Sequence, residues 1–232
     1  MLDTCFPRPV GDLGHPQTFA VPVKPWVVQR AVPSAVVASA SALNQSLLAL
    51  DFSSAACHLA ASGVWAITSS CGFLVLLQAQ IQAAVPGVPV RTSSLLQLPN
   101  LLARHAQVGV LTIDAASLGT EHLLAAGVPK GRLNDVCVQG VDPDSEFVTR
   151  IMGNQSSMDF NQAQSDVVGA AIALKQRAPS LKHVVLECTN MPPYQTAVES
   201  ATAFHCWSLR DDPVLQALAM KHCKLPLAAQ LA

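Results

Sequence analysis

Apolar positions along the chain alternate between two spacings, and the alternation sets the expected fold. Short β-prone runs occur at Trp26 to Val32, Val64 to Thr68, Val88 to Thr92, Val108 to Ile113, Val136 to Gln139, His183 to Glu187 and Ala203 to Trp207. Between them lie longer Ala/Leu-rich stretches at helical spacing, such as Phe73, Leu77 and Ile81. The clearest helix runs from Phe160 to Gln176, with Val167, Val168, Ala171 and Leu174 on one side and Pro179 stopping it. Another spans roughly Ser117 to Ala126 and is closed by Gly127, where a left-handed residue ends a helix. Strand and helix in alternation predict an α/β protein with parallel sheets covered by helices. Two such units fit, 1–104 and 105–207, with a boundary near Ala103 to Gln107. The C-terminal segment 208–232, carrying a helix from Pro213 to Cys223, is expected to return to the first unit.

Composition narrows the function. Of 232 residues half are hydrophobic and 12% are charged, and 14 Lys+Arg nearly cancel 15 Asp+Glu. That balance gives neither a basic groove for nucleic acid nor an acidic tail. No charged residue occurs from Phe52 to Val90, yet His58, Ser62, Thr68, Ser69, Ser70 and three glutamines interrupt the stretch. Its most apolar part, Val64 to Leu77, is shorter than the roughly 20 residues a bilayer requires, so a buried α/β segment is expected instead. Six of the 16 prolines fall in the first 33 residues, which predicts an extended, loop-rich opening. Asp3 and these prolines stand where a signal peptide would be basic and then apolar, so a cytoplasmic protein is expected. Seven cysteines form no CxxC pair, which points to free thiols in a reducing compartment.

Two of those cysteines share one local design. The run Val64 to Ile67 leads into Thr68, Ser69, Ser70, Cys71 and Gly72, then a helix near Phe73. The run Val184 to Leu186 leads into Glu187, Cys188, Thr189 and Asn190, then a helix at Pro192 and Pro193. Each thiol thus lies between the C-terminal end of a strand and the start of a helix, where parallel α/β folds place ligands. A helix N-terminus is expected to lower a thiol pKa from about 8.5 and to hold an anion. A cysteine at a strand end is also common as inert packing, but two matched instances, one per unit, favour chemistry. Two thiols facing across a cleft suit removal of a proton from carbon on one face and its delivery to the other.

At these residues the sequence resembles the aspartate/glutamate racemase superfamily, which includes the hydantoin racemases. The carriers are Gly11-Asp12-Leu13-Gly14-His15-Pro16, TSSCGF from Thr68 to Phe73, VGVLTIDAASL from Val108 to Leu118, and ECTNMPPY from Glu187 to Tyr194. The resemblance implies two similar flavodoxin-like halves with the active site in the cleft between them, and no cofactor. It implies a racemase of amino acids or related carboxylates or hydantoins, with Cys71 and Cys188 as opposed acid/base groups. Asp12 would be a polar neighbour in the first loop, Thr189 and Asn190 would lie at the mouth, and Ser69, Ser70 and Gly72 near the substrate carboxylate. Glutamate racemases carry His after the second Cys-Thr pair and Asn-Thr after the first Cys, where this chain has Asn190 and Gly72-Phe73. Decarboxylases and cis-trans isomerases on the same scaffold, and a non-catalytic protein that binds a small carboxylate, are the alternatives. The expected partner is a small-molecule carboxylate, with no nucleic acid and no membrane, and the expected state is a homo-oligomer.

Other features point less far. The pairs Cys57-His58, His205-Cys206 and His222-Cys223 would struggle to chelate one ion, because adjacent side chains diverge on strand and helix alike, so no metal is expected. Cys5 and Cys137 read as structural. Asp114 and Asp142 follow predicted strands and are candidates either for the cleft or for capping. Neither a GxGxxG nor a GxxxxGK[ST] pattern is present, and no lysine sits in a Schiff-base context.

Overall fold

The computed structural model describes residues 1–37, Leu43 and 47–223, without the side chain of Cys223. Nine helices and six strands follow one another among the described residues: α1 (Pro33–Val36), α2 (Leu48–Ala61), β1 (Ile67–Thr68), α3 (Gln78–Ala84), β2 (Val90–Arg91), α4 (Leu98–Leu102), β3 (Val108–Thr112), α5 (Thr120–Ala125), β4 (Val136–Gly140), α6 (Glu146–Met152), α7 (Phe160–Arg177), β5 (His183–Leu186), α8 (Gln195–Thr202), β6 (His205–Trp207) and α9 (Pro213–Cys223).

Strands β3 to β6 form one parallel sheet in the order β4-β3-β5-β6, the flavodoxin-like order in which the first strand lies inside the second. Strand β3 is buried at all five positions, as a central parallel strand covered on both faces must be. Gly109 sits in it because α7 and the segment after it pack hard there: a Cβ would stand 2.7 Å from Leu181 Cδ2 and 3.0 Å from Leu174 Cδ2. Helix α7 is fixed at its start by Asp159, whose side chain accepts from the amides of Asn161 and Gln162, and it buries Ala163, Val167, Ala170, Ala171 and Leu174. Val168, expected on that face, is only partly buried. Gly127 ends the α5 region with φ +88°, as its position predicts.

The first sheet is smaller. Strands β1 and β2 pair in parallel, Ile67 with Val90 and Thr68 with Arg91. Beside them the opening segment runs against 28–31, with Val28 N–H donating to Met1 O at 3.0 Å and Asp3 N–H to Ala31 O at 3.0 Å. The strand expected from Trp26 to Val32 does not form, because the chain turns at Arg30, which has φ +65°. Leu2 N–H donates to Ser70 Oγ at 2.9 Å and ties the opening segment to the loop after β1. The segment from Ser208 onward meets the first sheet through the Arg91–Asp212 ion pair at 2.7 Å and the Trp65–His222 ring stack at 3.6 Å.

Chain order reverses direction across the second sheet between β3 and β5. A crevice opens there at the carboxyl ends of the strands, where Ile113 follows β3 and Glu187 follows β5. No described helix is long and apolar enough to cross a membrane.

Candidate active site

Cys71 is separated from β1 by two residues and stands in extended backbone at the start of a 3₁₀ turn, Gly72–Leu77, which passes into α3. The sequence predicts an α-helix there, but the first six residues take the tighter 3₁₀ form. Cys188 is separated from β5 by one residue and precedes the 3₁₀ turn Pro192–Tyr194, which passes into α8. The local design is the same twice. Both thiols line one cavity, open at its mouth, with Ser70, Gly72, Glu187, Thr189 and Asn190. Its remaining walls are apolar, with Leu2, Phe6, Phe73, Ile113 and Ile151 prominent.

Asp12 lines a second pocket, which shares Phe6, Ile151 and Asn190 with the first. The carboxylate is buried and fully engaged. Arg8 Nη1 and the amide of Gly14 donate to Oδ1, each at 2.7 Å, and Asn190 Nδ2 donates to Oδ2 at 2.5 Å. Asn190 Oδ1 in turn lies 3.5 Å from Cys188 Sγ, so the thiol is linked through Asn190 and Asp12 to the Arg8 guanidinium. The loop that carries Asp12 is docked on the second cysteine's turn. Leu13 N–H donates to Thr189 O at 3.1 Å, and Gly11, at φ +103°, lies so near Pro193 that a Cβ would stand 3.1 Å from its Cα.

The other residues named from the sequence divide by what their side chains do. Thr189 Oγ1 donates to Ser70 O at 2.7 Å, which stitches the two cysteine loops together. Ser70 Oγ accepts from Leu2 N–H. Ser69 lines neither pocket, and its hydroxyl donates to Thr92 O at 2.6 Å and reaches Cys71 O at 2.8 Å. Gly72 is where the two loops touch most closely, since a Cβ there would collide with both the carboxyl and the carbonyl of Glu187.

Electrostatics corrects one expectation. The amides of Phe73 and Leu74 face Cys71, and that of Asn190 faces Cys188, as helix starts should, and each favours the thiolate. Burial outweighs them. It pushes the Cys71 thiol up to about 12, with the Glu187 carboxylate adding to the rise, and it holds Cys188 well above its ordinary value, again with Glu187 second. Arg8 acts in the opposite sense on Cys71. The thiolate that forms in such a site is scarce, and it is correspondingly a strong base.

Glu187 and Arg8 are the functional candidates that residue patterns did not single out. Glu187 is 1% exposed; its Oε2 accepts from Thr112 Oγ1 at 2.8 Å, and its Oε1 has no hydrogen-bond partner among the described residues. Burial raises its pKa to about 8, with Asp114 adding and the Thr112 hydroxyl opposing. Arg8 had one legible signal, its spacing of four from Asp12. Asp114 itself lies outside the cavity lining and caps the following turn through the amides of Ala116 and Ser117, and Asp142 accepts from the amide of Asp144. Among the described residues no group of three or more His, Cys, Asp or Glu is placed to hold a metal ion. His58 of the first Cys-His pair stacks on Trp26, and in the second pair Cys206 is buried while His205 is exposed.

No family model matches the chain. Among curated proteins it is similar to dimethylsulfoniopropionate lyase 7 of Emiliania huxleyi, 28% identical over 219 residues, covering 87% of this chain and 60% of that protein. Dimethylsulfoniopropionate lyase 3 of the same organism is 29% identical over 223 residues, covering 87% and 53%. The dimethylsulfoniopropionate lyase of Durusdinium sp. clade D is 26% identical over 197 residues, covering 83% and 64%. The chain therefore spans less than two thirds of the length of these relatives. Among solved structures, glutamate racemase isoform RacE1 from Bacillus anthracis superposes with a TM-score of 0.52 at 13% identity, over 84% of this chain and 70% of that one. The glutamate racemase of Francisella tularensis, solved with D-glutamate, gives 0.48 at 19% identity, over 79% and 65%. Parallel sheets, the flavodoxin-like strand order and the RacE1 superposition agree: the chain has a fold like that of glutamate racemase.

Proposed function

We propose that this chain is a cofactor-independent enzyme in which Cys71 or Cys188, as thiolate, removes a proton from the carbon next to a carboxylate, and that the reaction completed there is β-elimination. The observation that carries the reading is the shared cavity: two thiols from matching strand ends, buried together among apolar side chains. Similarity to dimethylsulfoniopropionate lyases over most of the chain supports elimination and nominates dimethylsulfoniopropionate as substrate.

The chemistry balances without a cofactor. A thiolate takes the proton from C2, the C2–H electron pair becomes the C2–C3 double bond, and the C3–S bond breaks with its pair leaving on dimethyl sulfide. Acrylate remains, and the proton passes from the thiol to solvent. The sulfonium carries its charge among methyl groups, so it suits the apolar walls of the cavity. Arg8 pairs with Asp12 and keeps positive charge near Cys71.

Racemisation is the second reading, favoured by one specific observation. Elimination requires one base, whereas this cavity holds two thiols, the set that removal on one face and delivery on the other employs. Both readings share the first step and part at the β-carbon, where a leaving group decides the outcome. The test is to offer the purified protein dimethylsulfoniopropionate and, separately, single-enantiomer amino acids and hydantoins. Dimethyl sulfide and acrylate in equal amounts establish elimination. Loss of optical activity without either product establishes racemisation, and no turnover of any of them contradicts both.

A further inference from the structure

We propose that Glu187 is a further catalytic residue, held as a neutral carboxylic acid whose Oε1 proton is donated to the substrate carboxylate as charge develops on it. The inference rests on the carbon-acid reading above and deepens it. The two carboxyl oxygens differ in their surroundings. Thr112 Oγ1 accepts from the Asp114 amide at 3.4 Å and donates to Glu187 Oε2 at 2.8 Å. With Oε2 accepting that hydrogen, the proton of the neutral acid is assigned to Oε1. Oε1 is buried, without a partner among the described residues, and set against Gly72 in the wall that also carries Cys71 and Cys188. A buried carboxylate oxygen with no donor is costly, whereas a protonated one carries no charge and has a proton to give.

The charge balance of the site points the same way. The groups that face Glu187 electrostatically are Asp114 and the two thiols, with Arg8 acting on Cys71 and Asp12 on Cys188. An ionised Glu187 opposes both thiolates, and a neutral one opposes neither. Removing the C2 proton moves negative charge onto the substrate carboxyl, so a donor fixed beside it is worth more after the step than before it. A carboxylic acid kept neutral by burial so that it can donate is an established device in enzymes that form enolates. Gly72 belongs to the same arrangement, because any side chain at 72 would evict the acid.

The test uses turnover and a measurement independent of it. E187Q replaces the hydroxyl with an amide donor and cannot ionise; it is expected to keep activity within about tenfold of wild type and to lack the decline above pH 8 that is expected of wild type. E187A removes the donor and is expected to fall by about 10²- to 10³-fold. A merely structural role would lower both variants together and leave the pH profile unmoved. Infrared spectra of protein carrying ¹³C-labelled glutamate should show a protonated carboxyl band at pH 7 that disappears as pH rises through 8 and is absent from E187Q. An E187Q as inactive as E187A, an E187A as active as wild type, or a carboxyl already ionised at pH 6 would each overturn the proposal. The infrared result needs no turnover, so failure of the functional reading and failure of this one are distinguishable.

Discussion

Asn190 Nδ2 donates to Asp12 Oδ2 at 2.5 Å, joining the first loop of the chain to the turn after its second cysteine across 178 residues. That bond holds the amide in the one orientation that leaves Oδ1 facing Cys188, 3.5 Å away. N190D would set a carboxylate against both Asp12 and the thiol. Its fold is expected to survive at low pH, while activity at pH 7 falls by at least tenfold and alkylation of Cys188 slows, measured by mass spectrometry of the modified peptide. Unchanged alkylation would show that residue 190 does not control the thiol.

Arg8 is the cation that makes a buried Asp12 tolerable, with side chains 10% and 2% exposed. Removing one partner of such a pair strands the other, at a cost of about 3 to 5 kcal/mol. R8A should therefore lose stability of that order in urea unfolding, and the double variant R8A with D12N should recover part of it. A loss below about 1 kcal/mol would mean that solvent reaches Asp12 and the pair is a surface one.

Stability should also report the state of Glu187. Its folded pKa of about 8 lies above the ordinary 4.5, so between these values the folded protein keeps a proton that the unfolded chain releases. The resulting stabilisation is complete below 4.5 and is lost as pH rises to 8. Relative to wild type, E187Q should become more stable across that window, by on the order of 4 to 5 kcal/mol at pH 8, in paired urea titrations at pH 5 and pH 8. A difference that does not change with pH contradicts a buried, uncharged Glu187.

Gly72 touches the Glu187 carboxyl and carbonyl so closely that no Cβ fits, and the obstacle includes backbone, which cannot swing aside. G72A is expected to separate the two cysteine loops, to lose at least about 1 to 3 kcal/mol as an overpacked site, and to abolish activity. Wild-type stability and turnover in G72A would show that the loops have slack.

Much of this was legible in the chain because it is local. Strands β3, β4, β5 and β6 and helix α7 lie within a few residues of where periodicity and capping place them, and the matched settings of Cys71 and Cys188 need only the order strand, thiol, helix start. What failed depends on distant packing. Trp26 to Val32 is rich in β-formers, yet the left-handed turn at Arg30 interrupts it, and residue type does not reveal that turn. The thiol pKa values lie on the other side of the expectation because the lowering by helix amides acts along the chain, while the larger raising by burial comes from tertiary packing, and Glu187 reaches Cys71 from the other loop. Glu187 stood in plain sight beside Cys188. Its meaning came only with Gly72 pressed against it and Thr112 beneath it.

The central claim is that a cavity thiol takes the proton from C2. It is tested most directly by measuring dimethyl sulfide release from ordinary and C2-deuterated dimethylsulfoniopropionate by wild type, C71S and C188S. Wild type should slow with the deuterated substrate, and at least one serine variant should lose about 10²- to 10⁴-fold in rate, because a serine hydroxyl cannot supply the anion a thiol can. If both variants release dimethyl sulfide as fast as wild type, neither thiol is the base and the account is wrong.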